Sequence, residues 1–143
     1  MSRYQKLYDK VIYKENIKRC NNIKAKEYSK YGVLYYSEEE IETLLSKKFD
    51  YKIYLYRSFN RYKLNNKYLI ISNNNYIGIV KVIEEKNIKF KDIDSSMINN
   101  SYLFEEYKRD LLKKLQEESK NYNEYFNNES LISWVKLKLI DKF

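Results

Sequence analysis

The chain reads as a small α+β domain: a sheet of about five short strands with flanking helices, behind an N-terminal helical extension. Three observations predict it. Apolar residues switch between helical and alternating periods in the order helix, strand, helix, three strands, helix, strand. The 143 residues suffice for one core without disulfides or metals. Short antiparallel strands that share a small core tend to curl into a barrel or half-barrel, which removes exposed edges.

The extension is residues 1–31 and the domain residues 32–143. In the extension, Tyr4, Leu7, Tyr8, Val11 and Ile12 recur at the helical period, which predicts a helix over 3–20. Lys6, Lys10, Lys14 and Lys18 recur every fourth residue beside that stripe, a second basic patch. Asn21 and Asn22 interrupt it, and a short helical segment over 23–30 is expected next. Gly32 then precedes the apolar run Val33-Leu34-Tyr35-Tyr36, suited to a strand. Ser37-x-x-Glu40 is a capping box with three glutamates in the first turn, so a helix starts there. Ile41, Leu44 and Leu45 form its buried stripe, and Lys47 and Lys48 close it at the dipole's negative end.

Residues 51–57 alternate as a strand, with Ile53 and Leu55 on the inner face and Lys52, Tyr54 and Tyr56 on the outer one. Leu64-Asn65-Asn66-Lys67 is a turn signal. Strands over 68–72 and 76–83 form an antiparallel hairpin through Asn73-Asn74-Asn75, residues that tolerate positive φ. Gly78 marks a bulge or a close backbone approach. Residues 84–100 read as irregular, anchored by Ile93 and Met97. Phe104, Tyr107, Leu111 and Leu115 predict a helix over 102–122, widened by Leu103 and Leu112. A loop over 123–129 leads to a last strand, 131–140, where Val135, Leu137 and Leu139 alternate with Trp134, Lys136 and Lys138.

Composition narrows the function. The net charge is +8, and it is unevenly spread. Residues 1–31 hold nine Lys/Arg against three acids, and residues 51–72 hold five cations and no acid. An anionic partner such as RNA, DNA or an acidic protein surface is the natural expectation. Abundant Lys, Asn, Ile and Tyr also reflect a codon-skewed genome, which weakens each single lysine as an argument. There is no histidine, which removes His-based triads and the usual zinc constellations. Two glycines cannot build the usual phosphate-binding loops. Cys20 stands alone, so no intrachain disulfide forms and a reducing, cytoplasmic setting fits. No apolar run is long enough to span a membrane, and the lysine-rich start lacks a signal-peptide core. Glu84, Glu85, Asp92 and Asp94 are dense but sit in an ordinary solvated context, so no metal and no cofactor are expected.

The stretch Leu44–Ile71 concentrates the functional signal. It alternates cations with aromatics on an extended segment, which suits phosphate contact and base stacking. The residues singled out are Lys48, Lys52, Tyr54, Tyr56, Arg57, Arg61 and Lys63. Trp134, beside Lys136 and Lys138, is assigned to packing before stacking.

The run GVLYYSEEEIETLLSKKFDYKIYLYR, then KLNNKYLIIS, NYIGIVKVIEE and LISWVKLKLI, resembles the ASCH domains over residues 32–140. These are a branch of the PUA-like β-barrel superfamily associated with RNA, and the resemblance implies a small PUA-like barrel. Lys48 stands where the family has its signature lysine, but Phe49 replaces the usual threonine. Arg57 stands for the family arginine, with Tyr54 or Leu55 where an acid is usual, and Asn65-Asn66 replaces Gly-Asp. Some small members are amidohydrolases of acetylated cytidine that use lysine, threonine and glutamate. Only Lys48 carries over: Thr43 is the sole threonine and lies on the preceding helix, while Glu105 and Glu106 have no tie to the site.

The leading expectation is therefore a small module that binds RNA or another nucleic acid. The alternative is a phage- or mobile-element-encoded inhibitor that docks on a host protein or nucleoprotein, for which a tyrosine-rich surface is suited. The second alternative is an acetylated-cytidine amidohydrolase.

Overall fold

The computed structural model describes residues 30–56, 62–99 and 102–143. The expected helices over 3–20 and 23–30, with Lys6, Lys10, Lys14, Lys18 and Cys20, lie outside the described residues. The elements run β1 (Gly32–Tyr35), α1 (Glu38–Lys47), β2 (Phe49–Leu55), β3 (Lys67–Ser72), β4 (Asn75–Lys89), α2 (Phe104–Lys120) and β5 (Leu131–Lys142). Two single 3₁₀ turns, Phe90–Asp92 and Ser95–Met97, stand between β4 and α2. The five strands are ordered β1-β3-β4-β5-β2. The α+β plan is as expected, except that β1 runs parallel to β3, with Gly32 opposite Tyr68 and Tyr35 opposite Ile71. The connection from β1 to β3 runs through α1 and β2, long enough for the crossover that a parallel pair requires.

The chain divides into two compact units. The first holds the described residues through Lys48, then Lys67–Lys81 and Leu139–Phe143. Its first helix begins with the capping box read from the sequence: Glu40 N–H donates to Ser37 Oγ (3.2 Å) and Ser37 N–H donates to Glu40 Oε1 (3.1 Å). Ile41 and Leu44 are buried, and Leu45 is half-buried. The helix stops at Lys48, whose φ of 68° lets its N–H donate to the Leu44 carbonyl at 2.8 Å. Asn73 and Asn74 turn the β3–β4 hairpin with φ of 48° and 63°, the conformation their type tolerates. Both readings of Gly78 hold. The register slips beside it, where Ile70 faces Gly78 and Ile71 faces Tyr76, so Ile77 is the extra residue. A Cβ on Gly78 would also collide with the backbone carbonyl of Asp141.

The second unit holds Phe49–Asn66 and Val82–Lys138. Its core gathers Leu55, Phe90, Ile93, Met97, Ile98, Leu111, Leu115, Phe126, Ile132 and Trp134. Ile93 and Met97 anchor the connecting segment as expected, and Phe90 joins them with a T-shaped contact to Phe126. Two expectations are corrected here. Residues 84–89 continue β4 rather than forming an irregular segment. Their charged sequence hides the strand, because backbone pairing along the neighbouring strand overrides the weak intrinsic propensity of Glu, Lys and Asn. Leu103 does not widen the buried side of the helix. It sits at the α2 N-terminus with φ of 60° and remains exposed.

Candidate nucleic-acid interface

The second unit carries Lys52 and Tyr54 on β2 of the antiparallel pair β2–β5, and Tyr56 and Lys63 beyond the end of β2. The register sets Phe49 opposite Lys138, Tyr51 opposite Lys136, Lys52 opposite Val135, Ile53 opposite Trp134 and Tyr54 opposite Ser133. Side chains alternate, so Phe49, Tyr51, Ile53 and Leu55 share one face with Ile132, Trp134, Lys136 and Lys138. Asp50, Lys52 and Tyr54 share the other with Ser133, Val135 and Leu137.

On the first face a ladder of cations and rings runs up from the core. Trp134 is 3% exposed and donates its Nε1–H to the Met97 carbonyl at 2.7 Å, so packing is its role. Tyr51 stacks on it with ring centroids 5.7 Å apart. Lys86 Nζ lies 5.4 Å from the Trp134 ring, and Lys136 Nζ lies 4.3 Å from Phe49 and 5.7 Å from Tyr51. Contacts of this kind are worth about 0.5–1 kcal/mol at exposed sites. They also fix the lysine stems, so the charged heads project from defined positions. Lys136 and Lys138 have no carboxylate partner among the described residues, whereas Lys86 pairs with Glu84 at 3.2 Å.

The second face is not the open surface that the alternation alone implies. Asp50 is 5% exposed, and Lys52 Nζ lies 3.6 Å from its Oδ2. Asn99 Nδ2 donates to Asp50 Oδ1 at 2.7 Å. The Asn99 Oδ1 accepts from Tyr51 N–H at 3.0 Å, and its Nδ2 also reaches the Tyr51 carbonyl at 3.3 Å. Asn99 thus engages the Tyr51 backbone as a neighbouring strand would, on the outer side of a strand that ends the sheet. The phenol of Tyr107 is pushed up from its ordinary value, first by burial and then by the nearby Asp50 carboxylate. Tyr54 is half-buried and meets the buried Tyr62 edge-on at 5.5 Å. Both faces of β2 are therefore covered along much of its length.

Of the residues singled out in sequence, Lys52 and Tyr54 are partly enclosed here, while Tyr56 and Lys63 are exposed. Arg57 and Arg61 lie outside the described residues. Lys48 belongs to the first unit and is exposed. Thr43 does not offer a free nucleophile, since its hydroxyl donates to the Glu39 carbonyl at 3.2 Å. Glu105 and Glu106 are exposed in the first turn of α2. Sequence reasoning missed Asp50, Asn99, Lys86 and Lys136. The first two carry no periodic signal, but Asp50-x-Lys52 on one strand does place an acid and a base on one face. Among the described residues no group of three or more acids or thiols could hold a metal, and no helix is long and apolar enough to cross a membrane.

No family model matches the sequence, and no curated protein is detectably similar to it. Solved structures are similar. An ASCH domain from Lactobacillus crispatus superposes with a TM-score of 0.64 at 9% identity, covering 94% of this chain and 95% of that one. A protein of Enterococcus faecalis described by the family model DUF984 superposes with a TM-score of 0.63 at 10% identity, covering 95% of this chain and 90% of that one.

Proposed function

With an ASCH-like fold as the premise, we propose that this chain binds single-stranded nucleic acid, RNA in the first instance. The observation that carries the reading is the surplus of cations beside rings on β2–β5. Lys136 is laid over Phe49 and Tyr51, and Lys138 and Lys63 are exposed, with no acid to neutralise any of the three among the described residues. Other lysines of the unit are held by acids: Glu129 takes both Lys89 and Lys91, and Glu84 takes Lys86 beside the same ladder. Lys136, Lys138 and Lys63 therefore add positive charge with no acid partner among the described residues, and a phosphate chain gains there by releasing its counterions.

Lys63, Lys136 and Lys138 meet phosphates in this reading, with Arg57 and Arg61 supplied by the chain between Tyr56 and Tyr62; Lys52, on the opposite face and beside Asp50, is left out of it. Tyr56, exposed beyond the end of β2, offers a stacking face, while Tyr54 packs against Tyr62. The chemistry is binding, with no reacting group required.

The test is fluorescence anisotropy of a short labelled RNA with the full chain and two variants, Lys63→Glu and Lys138→Glu. Both side chains are exposed and unpaired among the described residues, so folding is expected to be unchanged. Each reversal should weaken binding about five- to tenfold at low salt. Wild-type affinity in both variants would remove the proposed face from the account.

A further inference from the structure

The two ends of the strand order are finished differently. At one end, Asn99 engages the backbone of β2 in the place of a further strand. At the other end, β1 is Gly-Val-Leu-Tyr, with no charge, no proline and a regular register against β3. β1 is short, but it lacks the charge, the proline and the bulge by which proteins commonly blunt an edge. Tyr36 N–H donates to the Ile71 carbonyl at 2.8 Å, which fixes the parity of the parallel pair. Leu34, like Tyr36, turns its backbone groups toward β3, so Val33 and Tyr35 turn theirs outward. Among the described residues no backbone bond takes up those outward groups. The side chains of the same two residues are exposed, Val33 at 40% and Tyr35 at 80%.

We propose that β1 is a homodimerisation edge, on which a second copy of this chain pairs its own β1 antiparallel about a two-fold axis at Leu34. In an antiparallel pair, residues whose backbone groups point across must stand opposite each other. A two-fold at Leu34 sets Val33 opposite Tyr35 of the second copy, and Tyr35 opposite its Val33. Each pair exchanges two N–H···O bonds, so all the outward groups of the strand are used. The same register carries Lys30, exposed just before β1, toward the acidic start of the second copy's α1, where Glu38, Glu39 and Glu40 are exposed. Opposite charges then meet at both ends of the ribbon. Tyr35 lies across from Val33, an aromatic and β-branched pair of the kind that stabilises sheets. Because the contact is isologous, it closes on two copies and leaves no repeating edge for a filament.

Sedimentation equilibrium of the nuclease-treated full chain tests this. The average mass should rise with concentration toward twice the 17.6 kDa of one chain. Val33→Pro removes an outward N–H and leaves the bonds to β3 in place. Tyr35→Lys puts a charge against the facing strand and keeps every backbone donor, so it serves if the proline variant folds poorly. Each should weaken the dimer at least about tenfold while leaving the far-ultraviolet circular dichroism unchanged. A chain that stays at 17.6 kDa at every concentration overturns the proposal. So does a dimer that both variants leave intact.

Discussion

Lys48 stops α1 in a left-handed conformation where helices ordinarily place glycine. A side chain at such a φ costs about 1 kcal/mol, and Lys48 is exposed with no ion pair among the described residues to offset that cost. Lys48→Gly should therefore raise stability by about 0.5–1 kcal/mol, read as a higher midpoint in urea. Asn99 is the opposite case. Its amide serves Tyr51 N–H, the Tyr51 carbonyl and the buried Asp50 at once. Asn99→Ala leaves these groups short of partners and should cost about 2–3 kcal/mol in the same measurement. Neither residue announces itself in sequence. A lysine at the end of a helix reads as dipole complement, and one asparagine among many reads as loop.

Among elements, legibility follows the strength of local signals. The capping box before α1 and the asparagine turn between β3 and β4 are fixed by contacts within four residues, and the structure repeats them. The second half of β4 reads as irregular in sequence because its residues are charged; only a neighbouring strand makes it regular. The site divides in the same way. The cations of β2 and β5 are visible as an alternation, but Lys136 over Phe49 depends on the β2–β5 register, which pairs residues 77 to 89 positions apart.

The loop before β5 is tied by Glu129, which holds Lys89 at 3.2 Å and Lys91 at 2.9 Å. Its carboxyl is held below the usual range, first by the Lys91 hydrogen bond and then by that of Lys89, and the Lys91 ammonium is raised, first by its bond to Glu129. A depressed acid contributes stability above its unfolded pKa and loses it as pH falls through the folded value. Lys91 has the opposite sign, contributing below the ordinary lysine value and losing that contribution as pH rises through the raised one. Glu129→Gln should therefore flatten the acid limb of a melting-temperature profile, while Asp94, lowered by its bonds to Ser96, retains a residual slope.

For the whole molecule, the fold and the charge carry different weight. The ASCH-like fold is legible from the order of elements and is matched by solved structures at 9–10% identity. At that distance a fold does not transmit its chemistry, and the functional reading rests on this chain's own residues. The net charge of +8 is a general attraction; the proposal locates it at the lysines near Phe49 and Tyr51 that have no acid partner among the described residues. The central claim is that this surface neutralises phosphates. Its direct measurement is the affinity of the wild-type chain for a short single-stranded RNA across a salt series. With about four phosphates neutralised, the logarithm of the association constant should fall with the logarithm of salt at a slope near −3. Binding that is absent at low ionic strength, or a slope near zero, would contradict the account.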